Sequence, residues 1–562
     1  SALGAVLMLK FYSLTVVAHI GVMGRDFSHE TREWWSRLAG WMLLFALAWV
    51  LVFTVVFVAP AFFKWAHLWL LGSGASVWTI ATAVGVILGR NPASGLLHKK
   101  SWRDRIASVA PYIFIIGLLG LMAWGLQELL LRFFCTMCAT ESYVRGSSFG
   151  AVLLQEAKYF KAVPIETLFA VAGTCLLIAT ILAKRIDVNL FSIYYFYRQR
   201  LTRCYLGASR CESRSPHPFT GFDPQDDLAL SDLCRIDNGQ RICQRPYPIL
   251  STAMNMVHGK QLAWQERRAS GFAFTPLFCG YDFYLPDEKG ELISCYRPSG
   301  LYLGGAMLGT AIAVSGAAAS PNMGYHSSPP LTFLMTVFNV RLGHWTGNPS
   351  HKDAWSRQSP PSGSKYLLKE LLGLTDYDSP YVYLSDGGHF ENLGVYELVR
   401  RRCLTIFAVD AGADAHNTFD DLGNLIRKCY ADFGVVIKIH VDALKHDDKT
   451  QVKSYFAIGD IFYDDGARGT LVYVKPGLQG NETADLLNYA RTHAGFPHEP
   501  TNDQWYDESQ FESYRKLGHW IACSILAPAL ADAEQRRKES ADDTPILPYV
   551  FDLLRERSTA PD

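Results

Sequence analysis

Long apolar runs in the first 185 residues constrain this chain more than any other feature. Leu38–Phe63, His67–Leu88, Ile106–Leu126 and Ala162–Ala183 each offer the ~20 consecutive apolar residues that a helix needs to cross a bilayer. A fifth run, Leu3–Met23, is apolar except for Lys10 and His19. It is too long for the core of a signal peptide and is not followed by a cleavage site. Buried core helices of a soluble protein would be shorter and would carry more internal charge. Trp34, Trp35, Trp41, Trp65 and Trp69 cluster near the ends of the first two spans, where interfacial aromatics sit.

Flanking charge sets the expected orientation. Arg25, Arg32 and Arg37 precede the first span, and only Lys64 separates it from the second. Arg90, Lys99, Lys100, Arg103 and Arg105 lie between the second and third, and Lys184, Arg185, Arg198, Arg200 and Arg203 follow the fourth. By the positive-inside rule, the start of the bundle and everything after Arg185 face the cytosol of a bacterial inner membrane, and loop 127–161 faces outward. Almost no charge is expected to be buried within the spans apart from Glu166.

The chain therefore divides into residues 1–37, an extra membrane helix plus linker; 38–185, a four-helix membrane region; 186–530, a cytosolic domain; and 531–562, a charged, partly ordered tail. The charge balance, 53 basic against 53 acidic residues, gives no reason to expect nucleic acid as a partner. Cys204, Cys211, Cys234 and Cys243 are too widely spaced for a zinc finger or ribbon. Most of the twelve cysteines read as buried thiols in a reducing compartment. Cys135 and Cys138 form the only C-x-x-C pair, compatible with a structural disulfide in an outward loop.

Beyond the spans, Phe191–Leu206 is aromatic and basic: a juxtamembrane helix whose arginines meet lipid phosphates, or a bilayer-docking element beside an active site. Residues 207–245 and 347–365 read as loops. Two apolar β-type runs, Tyr381–Leu384 and Leu404–Val409, flank a helical segment from about Leu393 to Arg402, with Asn392 as its N-cap and Arg400, Arg401 and Arg402 at its C-terminal dipole. That pattern predicts a β-α-β unit with parallel strands, and further strands are expected at Val435–Ile439, Ala457–Tyr463 and Gly469–Val474. The fold class expected is α/β, a mixed or parallel sheet with flanking helices, preceded by a helical transmembrane bundle.

Within that unit, residues 384–394 read Leu-Ser-Asp-Gly-Gly-His-Phe-Glu-Asn-Leu-Gly. Asp386 falls at a strand end, where open α/β sheets bind ligands. An Asp-Gly pair is also simply a common turn. Gly387 and Gly388 allow a backbone or substrate to approach closely, and His389, Glu391 and Asn392 could orient a carboxylate. An exposed Asp is a poor base at neutral pH, but enclosure in an apolar site raises its pKa and a serine hydroxyl could direct its basicity.

The run from Tyr383 to Gly394, followed by Leu404-Thr-Ile-Phe-Ala-Val-Asp-Ala-Gly, resembles the aspartate region of the patatin and cytosolic phospholipase superfamily. Ala313-Val-Ser-Gly-Ala-Ala-Ala-Ser-Pro321 is similar to the small-residue block that precedes that aspartate. Phrases such as Leu262-Ala-Trp-Gln-Glu-Arg and Ser320-Pro-Asn-Met-Gly-Tyr-His resemble large bacterial patatin-like membrane proteins. The resemblance implies a patatin-like fold and a serine lipid acyl hydrolase acting on phospholipids or lysophospholipids. Asp386 would be the base of a Ser-Asp dyad, supported by Gly387, Gly388, His389 and Asn392, with no metal or cofactor. In the family order the nucleophile elbow precedes the membrane helices, so the chain, which opens at Ser1, is expected to be the C-terminal part of a longer protein.

Other hydroxyls are weaker nucleophiles. Gly146-Ser-Ser-Phe-Gly150 fits G-x-S-x-G around Ser148, but it lies between spans with no strand before it. Ser315 has no elbow glycine before it. His326 and His389 lack the spacing of a metal site, and Asp410 reads as a cap of the turn after its strand. The rival class is a non-catalytic membrane scaffold or lipid-binding protein that keeps a degenerate hydrolase fold; a solute transporter is a weaker third.

Overall fold

A computed structural model describes residues 2–23, 28–69, 102–134, 147–237, 240–258, 266–286, 292–324, 327, 329–446, 451–499, 506–540 and 545–559. It divides into two units, Ser1–Leu182 and Ala183–Asp562.

The first unit is helical: α1 (Ala2–Met23), α2 (His29–Trp69), α3 (Trp102–Phe134), α4 (Phe149–Ala162) and α5 (Ile165–Arg185), the last running to the boundary. Four of these contain stretches long and apolar enough to cross a membrane: Gly4–Met23, Glu33–Ala66, Phe114–Arg132 and Ile165–Arg185. The expected fifth run is thus among them, whereas the expected span His67–Leu88 lies outside the described residues beyond Trp69, as do Cys135 and Cys138. Small residues let the helices approach. The Ser13 hydroxyl of α1 donates to the Ala39 carbonyl of α2 at 3.2 Å. A Cβ on Gly120 of α3 would sit 2.9 Å from the Ala59 methyl of α2.

Two expectations about this unit are corrected. Among the described residues of 127–161, helix prevails, α3 running on to Phe134 and α4 occupying Phe149–Ala162. Glu166 is exposed on α5, none of whose residues is buried. The buried carboxylate is Glu156 of α4, which accepts from Gln127 and lies 3.1 Å from Lys64; Lys64 also meets Glu128 at 2.6 Å. Lys64 and Glu128 lie towards the C-terminal ends of α2 and α3, and a lysine placed there can satisfy two glutamates.

The second unit is mixed α/β. After α6 (Ile193–Leu201), a hairpin of β1 (Cys234–Asp237) and β2 (Gln240–Cys243) is followed by β3 (Leu250–Asn255), β4 (Ala269–Phe274), β5 (Phe278–Pro286) and β6 (Leu292–Pro298). Then come α7 (Leu308–Ser315), α8 (Pro329–Val337), β7 (His344–Gly347), α9 (Gly363–Leu371) and β8 (Tyr381–Asp386). The remainder is α10 (Val395–Arg400), β9 (Thr405–Val409), α11 (Asp420–Phe433), β10 (Val436–Ile439), β11 (Phe456–Phe462), β12 (Arg468–Val474), α12 (Ala484–Thr492), α13 (Glu508–Ser540) and α14 (Ile546–Thr559).

These strands form a six-stranded sheet in the order β6-β5-β4-β3-β8-β7 and a four-stranded sheet in the order β10-β11-β12-β9. The expected β-α-β unit is overturned. β8 and β9 belong to different sheets; β8 pairs antiparallel with β3 and β7, and β9 pairs parallel with β12. The six-stranded sheet is antiparallel throughout, and one pair of the smaller sheet is parallel. α10 is therefore a short connector between sheets. The later strands lie close to where they were expected.

Alternation along β8 sends Val382 and Leu384 into a core with Met254, Phe272, Val314 and Tyr194, while Tyr381 and Tyr383 pack with Trp345 and Tyr366 on the opposite face. The four-stranded sheet is covered on both faces. Leu471 and Tyr473 face α10 and α11, and Val472 and Val474 face α12, α13 and α14. The expected polar tail is thus corrected: Ala533, Val550, Leu553 and Leu554 are core residues. The thiol expectation also changes. Cys234 and Cys243 face each other across β1 and β2 and form a disulfide, and of the free cysteines described Cys279, Cys295 and Cys429 are buried while Cys175, Cys204, Cys211 and Cys523 are exposed.

Candidate active site

Asp386 is the last residue of β8, in register with Thr252 of β3. Its backbone N–H donates to the Ala317 carbonyl at 3.3 Å, fixing the strand end against the segment that follows α7. Alternation points the side chain to the face shared with α6 and α7. Oδ1 accepts from the Gly388 N–H at 2.6 Å and caps the turn Gly387–His389. Among the described residues, Oδ2 has no hydrogen bond. Burial raises the pKa of this carboxyl, and the Gly388 bond offsets only part of the rise.

Both glycines sit at close approaches, Gly387 to backbone and Gly388 to a side chain. A Cβ at Gly387 would lie 2.7 Å from the Ser251 carbonyl oxygen, and one at Gly388 would lie 2.6 Å from Asn392 Oδ1. Beside this strand end lies Tyr197 of α6, whose hydroxyl donates to the Gly316 carbonyl at 3.2 Å. The Tyr197 phenol is held above its usual pKa first by burial and then by the charge of Asp386, so the two groups share one environment. Ser315 enters the same neighbourhood, its hydroxyl donating to the Ser251 carbonyl at 2.8 Å.

His389 does not orient Asp386. Its Nδ1 lies 2.8 Å from the hydroxyl of Ser385, the neighbour of Asp386 that points to the other face of β8. The Gly324 N–H donates to Asn255 Oδ1 at 2.8 Å, which leaves the Asn255 amide N–H to donate to Ser385 Oγ at 2.8 Å. Ser385 Oγ thus joins Asn255 to His389 Nδ1, the direction of the Ser385–His389 bond following the imidazole tautomer. This buried relay holds the turn from behind.

The rest of the loop is pinned on the side of the smaller sheet. The Glu391 carboxylate accepts from the Leu393 and Tyr396 N–H groups at 2.6 and 3.1 Å. Lys428 of α11 donates to the Phe390 carbonyl, and its ammonium stands 4.5 Å from the centre of the Phe390 ring. Burial lowers the Lys428 pKa to about 8. Asn392 is not the cap of α10, a place taken by Gly394 with φ +69°. It donates instead to Asp421 at 3.0 Å.

Asp410 accepts from Tyr473, from Lys475 at 2.9 Å and from the Gly412 N–H at 2.8 Å, so it is engaged in its own turn, as the capping reading expects. Ser148 is the N-cap of α4, with Oγ accepting from the Ala151 N–H. His326 lies outside the described residues. Among the described residues, no group of three or more His, Cys, Asp or Glu side chains could hold a metal ion. Tyr197, Asn255, Ser385 and Lys428 are the contributors that sequence reasoning missed. Of these, Tyr197 and Ser385 lay in stretches the sequence marks, and the i, i+3, i+7 spacing of Tyr197 with Tyr194 and Leu201 marks it as inward-facing.

No family model matches the sequence, no curated protein does, and no solved structure matches the fold.

Proposed function

We propose that this chain carries the base of a membrane-embedded serine lipid acyl hydrolase of the patatin-like type, with the mixed α/β unit on the cytosolic side. The observation that carries the proposal is the state of Asp386. One carboxylate oxygen is anchored by a backbone N–H, the other is open, and burial has raised the pKa toward the range useful to a general base.

In this reading Asp386 Oδ2 accepts the proton of a serine hydroxyl as that oxygen attacks the ester carbonyl of a phospholipid or lysophospholipid. The tetrahedral intermediate collapses with the lipid alcohol leaving, and Asp386 returns the proton to that oxygen. Water, deprotonated by the same carboxylate, then cleaves the acyl-serine to release a fatty acid. Following the family resemblance, the serine comes from sequence preceding Ser1. Ser315 is the poorer choice because it ends α7, where carbonyl oxygens rather than N–H groups point outward. An oxyanion could not be stabilised there.

The flanking arginines and lysines support the cytosolic placement, and the apolar helices support a bilayer as the source of substrate. A fluorophosphonate probe tests the chemistry, because it bonds covalently to an activated serine. The native gene product should label, and Asp386→Asn should slow labelling by about 10²–10⁴-fold, the usual contribution of a general base. Equal labelling of both would remove Asp386 from the role of base, and no labelling of the native protein would favour a non-catalytic scaffold.

A further inference from the structure

Helix α6 has two dissimilar faces. Tyr194, Tyr197 and Leu201 point inward, Tyr194 into the core beneath the large sheet and Tyr197 to the Gly316 carbonyl, one residue before the Ala317 carbonyl that the Asp386 N–H meets. The outer face carries Phe196, which keeps 53 % of its surface exposed, with the Arg200 guanidinium 4.9 Å from the centre of its ring. Just before the helix, Leu190 and Phe191 are 58 % and 67 % exposed.

A second segment extends this surface. The Asn339 side-chain amide donates to the Phe191 carbonyl, and the Tyr194 N–H donates to the Arg341 carbonyl at 3.1 Å. The residues around Asn339, at the end of α8, therefore lie beside Phe191, and they bring the exposed side chains of Val337 and Val340. Two chain segments about 145 residues apart thus hold large apolar side chains in water, next to the helix that walls the candidate active site.

We infer that this surface, with Leu190, Phe191, Phe196, Val337 and Val340 as its apolar part and Arg200 at its rim, docks into the headgroup and upper acyl region of the bilayer that holds α5. Chain continuity selects that occupant. Leu190 follows Arg185, the last residue of a helix apolar enough to cross a membrane, by five residues, a path of at most about 18 Å. The chemistry agrees: aromatic rings with an adjacent guanidinium suit the interface, where the ring enters the acyl boundary and the cation meets phosphate. Arg198 is different, being bound to Asp227 at 2.5 Å and directed inward.

Docking there would bring Tyr197, and through it the rim of the Asp386 site, to the level at which lipid esters lie. The inference rests on the membrane part of the proposed function and not on ester cleavage.

Photo-crosslinking tests it. The native protein, reconstituted in vesicles of phosphatidylethanolamine and phosphatidylglycerol, would carry p-benzoylphenylalanine in place of Phe191, Phe196 or Val337. Leu176, 70 % exposed on α5, is the position for a lipid-facing control, and Tyr430, 64 % exposed on α11, for a water-facing one. Labelling of lipid at 191, 196 and 337 is expected to approach that at 176 and to exceed that at 430 at least several-fold. Lipid labelling at 176 with only the level of 430 at the other three would overturn the docking surface while leaving the membrane span standing. Crosslinks from 191 and 337 to another polypeptide would overturn it too. Repeating the set in Asp386→Asn separates this result from catalysis, since the crosslinks should persist when hydrolysis is lost.

Discussion

Ser385 and His389 are joined by a 2.8 Å hydrogen bond on the face of β8 opposite to that of Asp386. Adjacent residues in one strand thus have separate tasks, Ser385 bracing the turn and Asp386 facing the site. Replacing His389 by Ala should remove a buried hydrogen bond worth about 1 kcal/mol and leave the Ser385 hydroxyl with Asn255 as its remaining partner, lowering the melting temperature. Turnover should fall far less than in Asp386→Asn, and the pH at which activity rises should stay put. A shift of that pH in the His389 variant would show that the imidazole itself titrates in the reaction.

The two glycines should differ in a way that depends on what each one faces. Gly387→Ala drives a methyl into the Ser251 carbonyl, which is held in β3 and cannot give. A cost of about 1–3 kcal/mol, typical of overpacking, is expected. Gly388→Ala meets the Asn392 side chain first, so adding Asn392→Ala should relieve it and should not relieve Gly387→Ala. Thermal melts of the two double variants check this directly.

Arg341 and Glu370 form a fully buried ion pair, with Arg341 also bonded to the Val188 carbonyl and the Trp345 indole N–H donating to Glu370. Arg341→Met leaves Glu370 buried without its cation and should destabilise the α/β unit by about 3–5 kcal/mol. Adding Glu370→Leu should restore much of the loss. Proteolysis of the single and double variants under identical conditions measures both steps.

Burial places the Asp386 pKa in the folded protein above its ordinary value. Its contribution to stability is therefore full below the unfolded pKa of about 3.9 and is lost as pH rises through the folded value. The neutral Asp386→Asn side chain escapes that loss. The variant should melt above the wild type at pH 7, with the gap closing toward pH 4. A gap that widens on acidification would mean that the carboxylate is stabilised, not strained, by its surroundings.

What the sequence disclosed follows from the range of each signal. An apolar run long enough to cross a bilayer is self-contained, so α1, α2, α3 and α5 were legible. Strand partners are not: β8 and β9 both read as apolar runs flanking a helix, yet β8 finds its neighbours in β3, about 130 residues earlier, and in β7. The tail's many charges hide Ala533, the end of a stripe through 517, 521, 525 and 529 that buries one face of α13, and Val550, Leu553 and Leu554 on α14. At the site, Asp386 and its glycines were visible as a motif. Asn255 and Lys428 were not, since each acts through a contact made only when distant segments fold together, and Ser385 has no signal apart from the strand pairing that turns it away from Asp386.

The central claim is that Asp386 deprotonates the nucleophile of an ester-cleaving reaction. The most direct measurement is fatty-acid release from acyl-labelled phospholipid by the native gene product in a bilayer, compared with Asp386→Asn across pH. The account predicts release by the wild type that rises with pH through a carboxylate lifted above its ordinary value, and a loss of about 10²–10⁴-fold in the variant at every pH above that limb. Equal release by both proteins would contradict it.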